Sequence, residues 1–328
     1  MANSTILRWG LLSTARINRS LIGPIRSSEN SQLKAVASRS ESKAEAFARL
    51  WGIPTFYTDY EALLSDPEID VIYNPLPNSL HAEWSIKALQ MGKHVLCEKP
   101  ITTSSRDIDA VINVAKETGR IICEAFMYRH HPQTIRVKQI VDNGEIGNIQ
   151  IIRGSFCYTN NRSPDVRFDP NLGGGCLWDV GSYPVSYARN IVGSEPVTVF
   201  GHQIIGSTGV DILFTGQMQF PGETIAYFES SFISPYKVII EITGDKGRII
   251  IPEPYKPGER TKIIIEREGK AKTYWIKGEE LYFGEVKDIE NAILFGKAPK
   301  ISLEDSRANI LTIEALFKSA RLSQPVNI

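Results

Sequence analysis

Apolar and polar positions follow a regular alternation over residues 5–125. Apolar runs of the length of single strands alternate with stretches in which apolar residues recur at helical spacing. This alternation predicts βαβ units that build a parallel sheet. The predicted strands cover residues 5–12, 33–38, 55–57, 70–74, 94–97 and 120–124. The predicted helices cover residues 14–21 (ended by Gly23-Pro24), 42–51, 59–64, 79–91 and 104–118.

The pattern changes in the second half, where strand patterns dominate from residue 149 onward. We predict an α/β protein with a Rossmann domain over 1–125, built on a doubly wound, mostly parallel sheet. An α+β domain with a largely antiparallel open sheet follows over 126–328. A sheet with one uncovered apolar face needs a partner, so we expect a homodimer or homotetramer through this sheet. Helices are predicted in this domain at 128–142, 175–192, 284–296 and 302–323.

The overall composition excludes several classes of protein. The 328 residues include 37 basic and 37 acidic residues, and this balance gives no electrostatic footprint for nucleic acid or an anionic membrane. No signal-peptide core and no membrane-spanning apolar run are visible, which indicates a cytoplasmic protein. The four cysteines form no CxxC pair and the histidines show no metal-ligand spacing. We therefore expect buried free thiols and no metal site.

A lysine follows the fifth predicted strand directly, in the segment Glu98-Lys99-Pro100. Open α/β sheets bind their ligands at the carboxyl ends of strands. Pro100 fixes its own φ and restricts Lys99 to an extended conformation, so the lysine is held in place. For the tripeptide alone, a surface Lys-Pro turn is the alternative.

The first strand-to-helix junction carries Ser13-Thr14-Ala15 where a dinucleotide-binding fingerprint would have glycines. These residues are small, so backbone N–H groups at the start of the helix can still approach a pyrophosphate. The alternative is a plain strand-to-helix turn.

The second predicted strand ends in Ser38-Arg39, where an NAD enzyme usually has an acidic residue. An arginine at this position accommodates a 2′-phosphate, and Lys43 adds positive charge. Within a Rossmann domain these residues predict NADP rather than NAD as the cofactor.

Five longer segments carry recognisable motifs. They are Pro-Leu-Pro-Asn-Ser-Leu-His at 75–81, Gly-Lys-His-Val-Leu-Cys-Glu-Lys-Pro at 92–100, Glu-Ala-Phe-Met-Tyr-Arg-His-His-Pro-Gln at 124–133, Leu-Gly-Gly-Gly-Cys-Leu-Trp-Asp-Val-Gly-Ser-Tyr at 172–183 and Ser-Leu-Glu-Asp-Ser-Arg-Ala-Asn at 302–309. Together they resemble the Gfo/Idh/MocA oxidoreductase family, and within it the branch of NADP-dependent D-xylose 1-dehydrogenases and dimeric dihydrodiol dehydrogenases. Tyr183 stands where many members have histidine, as the resemblance implies for this branch.

The resemblance implies that Lys99, Asp179 and Tyr183 converge at the nicotinamide. When hydride leaves a C–H bond, the neighbouring hydroxyl loses a proton, so an acid/base must touch the substrate oxygen. An ammonium beside a phenol favours the phenolate. We therefore assign Tyr183 as the acid/base, Lys99 as the group that polarises the substrate oxygen, and Asp179 as an orienting group. Lys99 as the proton carrier is the alternative.

The remaining predicted site residues lie at strand ends or near the motifs. The predicted cofactor-binding residues are Ser13, Thr14, Ala15, Arg16, Ile17, Ser38, Arg39, Lys43, Asn74, Leu76, Pro77, His81, Glu98 and Lys99. The predicted substrate-binding residues are Tyr128, Arg129, Asp165, Arg167 and Trp178. Arg129 or Arg167 could instead bind a ribose or a phosphate of the cofactor.

The predicted function is an NADP-dependent dehydrogenase of a cyclic sugar or polyol, with oxidation of an aldopyranose at C1 to a lactone favoured. One alternative is an NADPH-dependent reductase of a keto-sugar or dicarbonyl on the same fold. Another is a catalytically silent NADP-binding regulator. Lys99, Asp179 and Tyr183 argue against the silent regulator, and the replaced fingerprint glycines argue for it.

Overall fold

The computed structural model describes residues 6–162 and 164–328, and the chain divides into two compact units. The first unit runs to Met127 and also contains Tyr282–Ser306. The second unit contains Tyr128–Leu281 and Arg307–Ile328. The segment 282–306, which the sequence analysis placed in the C-terminal domain, thus lies with the first unit.

The first unit is built on a six-stranded sheet in which every neighbouring pair of strands is parallel. Its strands are β1 (Leu7–Leu12), β2 (Ser31–Ala37), β3 (Thr55–Tyr57), β4 (Val71–Asn74), β5 (His94–Glu98) and β6 (Ile122–Ala125). Their order is β3-β2-β1-β4-β5-β6, the order of a doubly wound dinucleotide-binding sheet. The predicted Rossmann fold is confirmed.

Both faces of this sheet are covered, as the short apolar strands require. Successive side chains of a strand point to opposite faces, so Trp9 and Leu11 join one buried cluster and Leu12 joins the other. Gly10 lies where a Cβ atom would come within 2.9 Å of Leu63, which explains the absence of a side chain there. The helices that follow β1 to β5 are α1 (Asn18–Ser27), α2 (Glu41–Trp51), α3 (Tyr60–Ser65), α4 (His81–Gln90) and α5 (Ser105–Thr118).

The first helix differs from its prediction. The sequence analysis placed it at 14–21 and ended it at Gly23-Pro24, whereas α1 begins at Asn18 and contains Pro24. Residues 13–17 are needed for the turn that leaves β1. The helix continues through Pro24 because it buries Leu21, Ile22 and Ile25 fully, which offsets the hydrogen bond that proline cannot donate.

The second unit is built on a nine-stranded sheet, with the order β14-β13-β12-β11-β7-β10-β9-β8-β15. The pair β7–β10 is parallel and the other neighbouring pairs are antiparallel, which confirms the largely antiparallel prediction. The strands are β7 (Ile149–Thr159), β8 (Thr198–Ile205), β9 (Asp211–Gln219), β10 (Ile225–Ser231), β11 (Ile233–Gly244), β12 (Arg248–Ile251), β13 (Arg260–Arg267), β14 (Lys270–Lys277) and β15 (Val326–Asn327).

Two predicted helices of this unit are divided into two segments each. The first consists of a 3-10 turn at Met127–His130 and helix α6 (Pro132–Asp142), because Pro132 holds His131 extended and starts a new helix. The second consists of a π-helical segment, Leu177–Gly181, and helix α7 (Ser182–Val192). Helices α8 (Phe283–Phe295) and α9 (Leu303–Leu322) follow, close to their predicted bounds. Among the described residues, no helix has the length and apolar character needed to cross a membrane.

Candidate active site

The turn after β1 has an unusual backbone at Ser13. Its φ of 68° lies in the left-handed region, where glycine is the ordinary residue. The Ser13 hydroxyl accepts a hydrogen bond from the Ala15 N–H (3.2 Å), and its carbonyl accepts one from the Asn18 side-chain amide (2.9 Å). Asn18 is fully buried, and the sequence analysis did not identify it as part of this turn. Serine and asparagine side chains thus hold the turn that glycines form in the usual fingerprint.

The start of α1 lies where a doubly wound sheet binds the pyrophosphate of a dinucleotide. Thr14, Ala15, Arg16 and Ile17 form the turn that leads into it, and no side chain caps its first turn. The N–H groups of residues 18–20 donate to the carbonyls of residues 15–17, so they already have backbone partners.

The end of β2 presents Ser38 and Arg39 as the sequence predicted. Ser38 is buried, its N–H bonds to the Tyr57 carbonyl (3.0 Å), and its hydroxyl accepts from the Ser40 N–H (3.3 Å). Arg39 is exposed and its guanidinium lies near Tyr60. Burial raises the pKa of Tyr60, and Arg39 opposes that rise. Lys43 lies exposed on α2.

The loop after β4 is fixed from within. Asn74 is fully buried, and its amide donates to the His81 carbonyl (3.1 Å) and the Ser85 hydroxyl (3.0 Å). Its carbonyl oxygen accepts from the Leu76 N–H (3.3 Å). Leu76 is buried and Pro77 is half-buried, so Asn74 acts here through the shape it gives the loop.

His81 connects this loop to the segment that carries Lys99. Its ring nitrogens lie 2.7 Å from the Pro100 carbonyl oxygen and 2.6 Å from the Leu76 carbonyl oxygen. Burial lowers the pKa of His81 to about 4, against the two carbonyls, which favour a charged ring. A neutral imidazole donates to only one of these carbonyls, whereas a charged ring donates to both. These contacts make His81 a support of the backbone beside Lys99.

A second side chain holds the other side of this segment. The buried Glu124 carboxylate accepts from the Ile101 N–H at 2.9 Å, two residues after Lys99. Glu98, which precedes the lysine, accepts a hydrogen bond from the buried Tyr73 hydroxyl at 2.6 Å. Lys99 itself is partly exposed at the end of β5. Strand pairing holds the backbone before the lysine, and His81 with Glu124 holds the peptide group after Pro100.

In the second unit, a charged cluster forms around Asp179. The Arg167 Nε lies 2.6 Å from the Asp179 carboxylate, and Tyr158 donates its hydroxyl to the same oxygen at 3.3 Å. Asp165 accepts from the Arg167 guanidinium at 3.3 Å and from the Arg167 N–H at 3.0 Å. The Asp179 charge raises the pKa of Arg167, and burial followed by the same charge raises the pKa of Tyr158. The structure thus joins Asp165, Arg167 and Asp179, and adds Tyr158.

Tyr183 lies in the first turn of α7 inside a group of aromatic rings. Its ring centroid lies 5.9 Å from that of Tyr128, 5.3 Å from Phe156 and 5.5 Å from Tyr255. Tyr128 is fully buried and donates its hydroxyl to Ser186 at 2.8 Å, so its part at the site is to pack against Tyr183. Of the other predicted substrate-binding residues, Arg129 is buried, and Trp178 packs on Phe317 with centroids 5.7 Å apart.

Two family descriptions match the chain. "Oxidoreductase family, NAD-binding Rossmann fold" matches residues 7–126, and "GFO/IDH/MocA C-terminal domain" matches residues 134–250. Both matches confirm the family predicted from the motifs.

Individual relatives cover almost the whole chain. D-xylose 1-dehydrogenase (NADP(+)) 2 from Haloferax volcanii is 34% identical over 326 residues, which are 98% of this chain and 100% of the relative. A dTDP-3,4-didehydro-2,6-dideoxy-alpha-D-glucose 3-reductase from Actinomadura kijaniata is 30% identical over 332 residues, 98% of this chain and 97% of the relative. Among solved structures, KijD10, a 3-ketoreductase from the same organism in complex with NADP and TDP-benzene, superposes with a TM-score of 0.91 at 28% identity. That match covers 96% of this chain and 98% of the other.

The backbone at Ser13 generates a stability prediction. Ser13→Gly removes the strain of a side chain in the left-handed region, whereas Ser13→Ala keeps the strain and also loses the hydroxyl contact with Ala15. We expect the alanine variant to be less stable than the glycine variant by about 1 kcal/mol. Urea unfolding of both variants and the unmodified protein measures this difference. An alanine variant as stable as the glycine variant would contradict the left-handed conformation at this turn.

Proposed function

The chain belongs to the Gfo/Idh/MocA oxidoreductase family, and we propose that it transfers hydride between NADP and a hydroxyl-bearing carbon of a cyclic sugar. The coarse activity is that of an NAD(P)-dependent sugar oxidoreductase, in agreement with its relatives. The preferred reaction in this proposal is the oxidation of an aldopyranose at C1 to a lactone. The similarity to a D-xylose 1-dehydrogenase over the whole chain supports this choice.

The position of Lys99 is the observation that carries the proposal. It stands at the carboxyl end of β5 in a sheet of dinucleotide-binding order, where such sheets bind their ligands. His81 and Glu124 contact the backbone that follows it, through the Pro100 carbonyl and the Ile101 N–H. A lysine on the surface would need neither contact. Its placement fits a group that must meet a reacting atom with little positional freedom.

The cofactor is NADP. The start of α1 fits the pyrophosphate, and Ser38 with Arg39 fits a 2′-phosphate, since no acidic residue stands at the end of β2 to bind the ribose hydroxyls. A relative and a solved structure with whole-chain similarity use or contain NADP. When bound, NADP supplies the hydride acceptor for oxidation and the hydride donor for reduction.

Arg39 gives the test of cofactor choice. Loss of a charge-assisted, bidentate contact costs about 1.5–3 kcal/mol. Arg39→Ala should therefore weaken NADP binding by roughly tenfold or more and leave NAD binding nearly unchanged. Fluorescence titration with each cofactor measures both affinities, and Lys34→Ala, which removes a positive charge within β2, serves as the charge-matched control. Equal efficiency with NADP and NAD in the unmodified protein would overturn the assignment.

We assign the proton transfer to residues of the second unit. In oxidation, Tyr183 accepts the proton of the substrate hydroxyl while Lys99 stabilises the negative charge on that oxygen. Asp179 orients these groups, and its own position is fixed by Arg167 and Tyr158. In reduction the same groups work in reverse, and Tyr183 returns the proton to the new hydroxyl.

A reductase is the second candidate, because the relatives from Actinomadura kijaniata are a 3-reductase and a 3-ketoreductase. Both reactions use the same hydride and proton transfers, so the pocket and the cellular cofactor ratio decide the direction. A panel of aldoses and diols with NADP, and of keto-sugars and dicarbonyls with NADPH, separates them by NADPH absorbance. Turnover restricted to the carbonyl panel would replace the dehydrogenase by the reductase.

The catalytic assignment predicts non-additive losses. Lys99→Ala and Tyr183→Phe should each lower turnover about 100-fold or more, with NADP affinity largely kept. The double variant should be little worse than the poorer single variant, because groups that act on one oxygen share one transition-state interaction. Steady-state kinetics with saturating cofactor measures this, and Tyr187→Phe is the matched tyrosine control on α7. Near-normal turnover in Lys99→Ala would remove the central claim.

We further propose a homodimer or homotetramer through the second sheet. Side chains alternate along β8, β9 and β10, with one face buried and the other exposed. The exposed face includes Phe200 at 41% exposure and Tyr227 at 43%, and Tyr227 and Phe200 both line a concavity of about 550 Å³. A partly apolar face of this kind is stabilised by a second copy. Light scattering at micromolar concentration should report at least a dimer, and a soluble monomer would contradict the proposal.

A cytoplasmic location completes the proposal. All four cysteines are buried and free, which suits a reducing compartment. Cell fractionation that finds the protein outside the cytoplasm would contradict it.

A further inference from the structure

Asp211, which the sequence analysis did not assign to the site, is a buried residue that contacts the segment carrying Asp179. Asp211 begins β9 and is 3% exposed. Its Oδ2 accepts a hydrogen bond from the Leu177 N–H at 2.7 Å and one from the Cys176 thiol at 3.1 Å. The pairing of β8 with β9 shifts register beside Asp211, and such irregularities re-aim a side chain. This carboxylate is therefore directed at the start of the π-helical segment.

The chain passes over Asp211 too closely for a side chain. Gly175 has a φ of +119°, and a Cβ atom there would lie 2.1 Å from the Asp211 Oδ1. Only glycine permits both this backbone conformation and this approach. Gly175, the last residue of the glycine run at 173–175, is therefore required for the backbone to contact the Asp211 carboxylate of β9.

The held segment leads directly to Asp179. The Asp179 N–H bonds to the Gly175 carbonyl at 3.1 Å, so the backbone of Asp179 is tied to the residue that lies on Asp211. Leu177, whose N–H Asp211 accepts, is the first residue of the π-helical segment that contains Trp178 and Asp179. π-Helical segments are rare and are found often at functional sites. A negative charge at the amino end of this segment also stabilises it.

We propose that Asp211 is a positioning residue of the reaction: by holding the Gly175–Leu177 turn it fixes the place of Asp179. This inference rests on the proposed function, because it gives Asp211 a catalytic consequence only if Asp179 works in hydride transfer. Arg167 pairs with the Asp179 carboxylate, and Asp211 holds the backbone of the segment that leads to Asp179.

The chain contains a matched control for this arrangement. Asp245, between β11 and β12, also accepts a backbone N–H, that of Asn148 at 3.0 Å. Gly147, with φ of +74°, also lies where a Cβ atom would meet this carboxylate, 1.6 Å from the Asp245 Oδ1. The pair Asp245 and Gly147 thus repeats the contact of Asp211 and Gly175 within the same unit, without a link to Asp179.

The test compares Asp211→Asn and Gly175→Ala with Asp245→Asn and Gly147→Ala. At saturating cofactor, the first two variants should lower kcat by about tenfold or more, because a small displacement of a catalytic group has a large effect on rate. Their KM for NADP should stay unchanged. The two control variants should not share this loss: they should keep kcat even where their melting temperatures fall. In an Asp179→Asn background, Asp211→Asn should add little further loss, since the two residues act as a unit.

A thiol reagent supplies a readout independent of activity. The Cys176 thiol is buried and donates to Asp211, so it can react only when the Gly175–Leu177 turn opens. Asp211→Asn and Gly175→Ala should therefore speed its reaction, and Asp245→Asn should not. If the unmodified protein turns over and Asp211→Asn and Gly175→Ala keep full kcat, the positioning inference is wrong and the proposed function stands. If the unmodified protein shows no turnover with NADP or NADPH, both the positioning inference and the proposed function are wrong. If Asp211→Asn does not fold, Gly175→Ala alone decides, because it keeps the carboxylate.

Discussion

The two hydrogen bonds to the Pro100–Ile101 peptide group are the constraint on which the proposed chemistry depends. A lysine side chain has many rotamers and loses much entropy when it is held, so its backbone must be fixed if its amine is to meet one atom. Here the fixing groups are His81, which reaches the Pro100 carbonyl, and Glu124, which accepts the Ile101 N–H. His81 in turn contacts the Leu76 carbonyl, and Asn74 holds that loop from within. The ends of β4, β5 and β6 are thereby joined around one residue.

In the second unit, charged side chains hold the site residue Asp179 in place. Asp179 would be costly to leave half-buried and unpaired, and Arg167 removes most of that cost through a short contact. Asp211 is buried more deeply, and burial raises its pKa while several N–H groups and the Cys176 thiol oppose the rise. Each carboxylate is thus satisfied by groups that also fix the backbone around it. Stability and site geometry here depend on the same contacts.

The sequence was sufficient for the fold and for local parts of the site, and it failed where contacts join distant positions. Strand and helix periodicities predicted both sheets, and the strand-end position of Lys99 followed from them. The end of α1 was misplaced because Gly23-Pro24 ends most helices, whereas this helix continues past Pro24 to bury Ile25 together with Leu21. Asp211 lies 35 residues from Cys176, and Tyr158 lies 21 residues from Asp179. No local pattern marks either pair, because each forms only when the π-helical segment packs against β7 and β9.

The environment of Tyr183 bears on which group carries the proton. Tyr128, Phe156 and Tyr255 pack around its ring, which restricts the positions that its hydroxyl can take. A phenol takes up a proton only if it passes on its own proton or starts as a phenolate, and a neighbouring cation favours the phenolate. Asp179 is an acidic group paired with Arg167, so it does not provide that positive charge. In the proposed reaction Lys99 provides it, and Lys99 as the proton carrier stays the alternative.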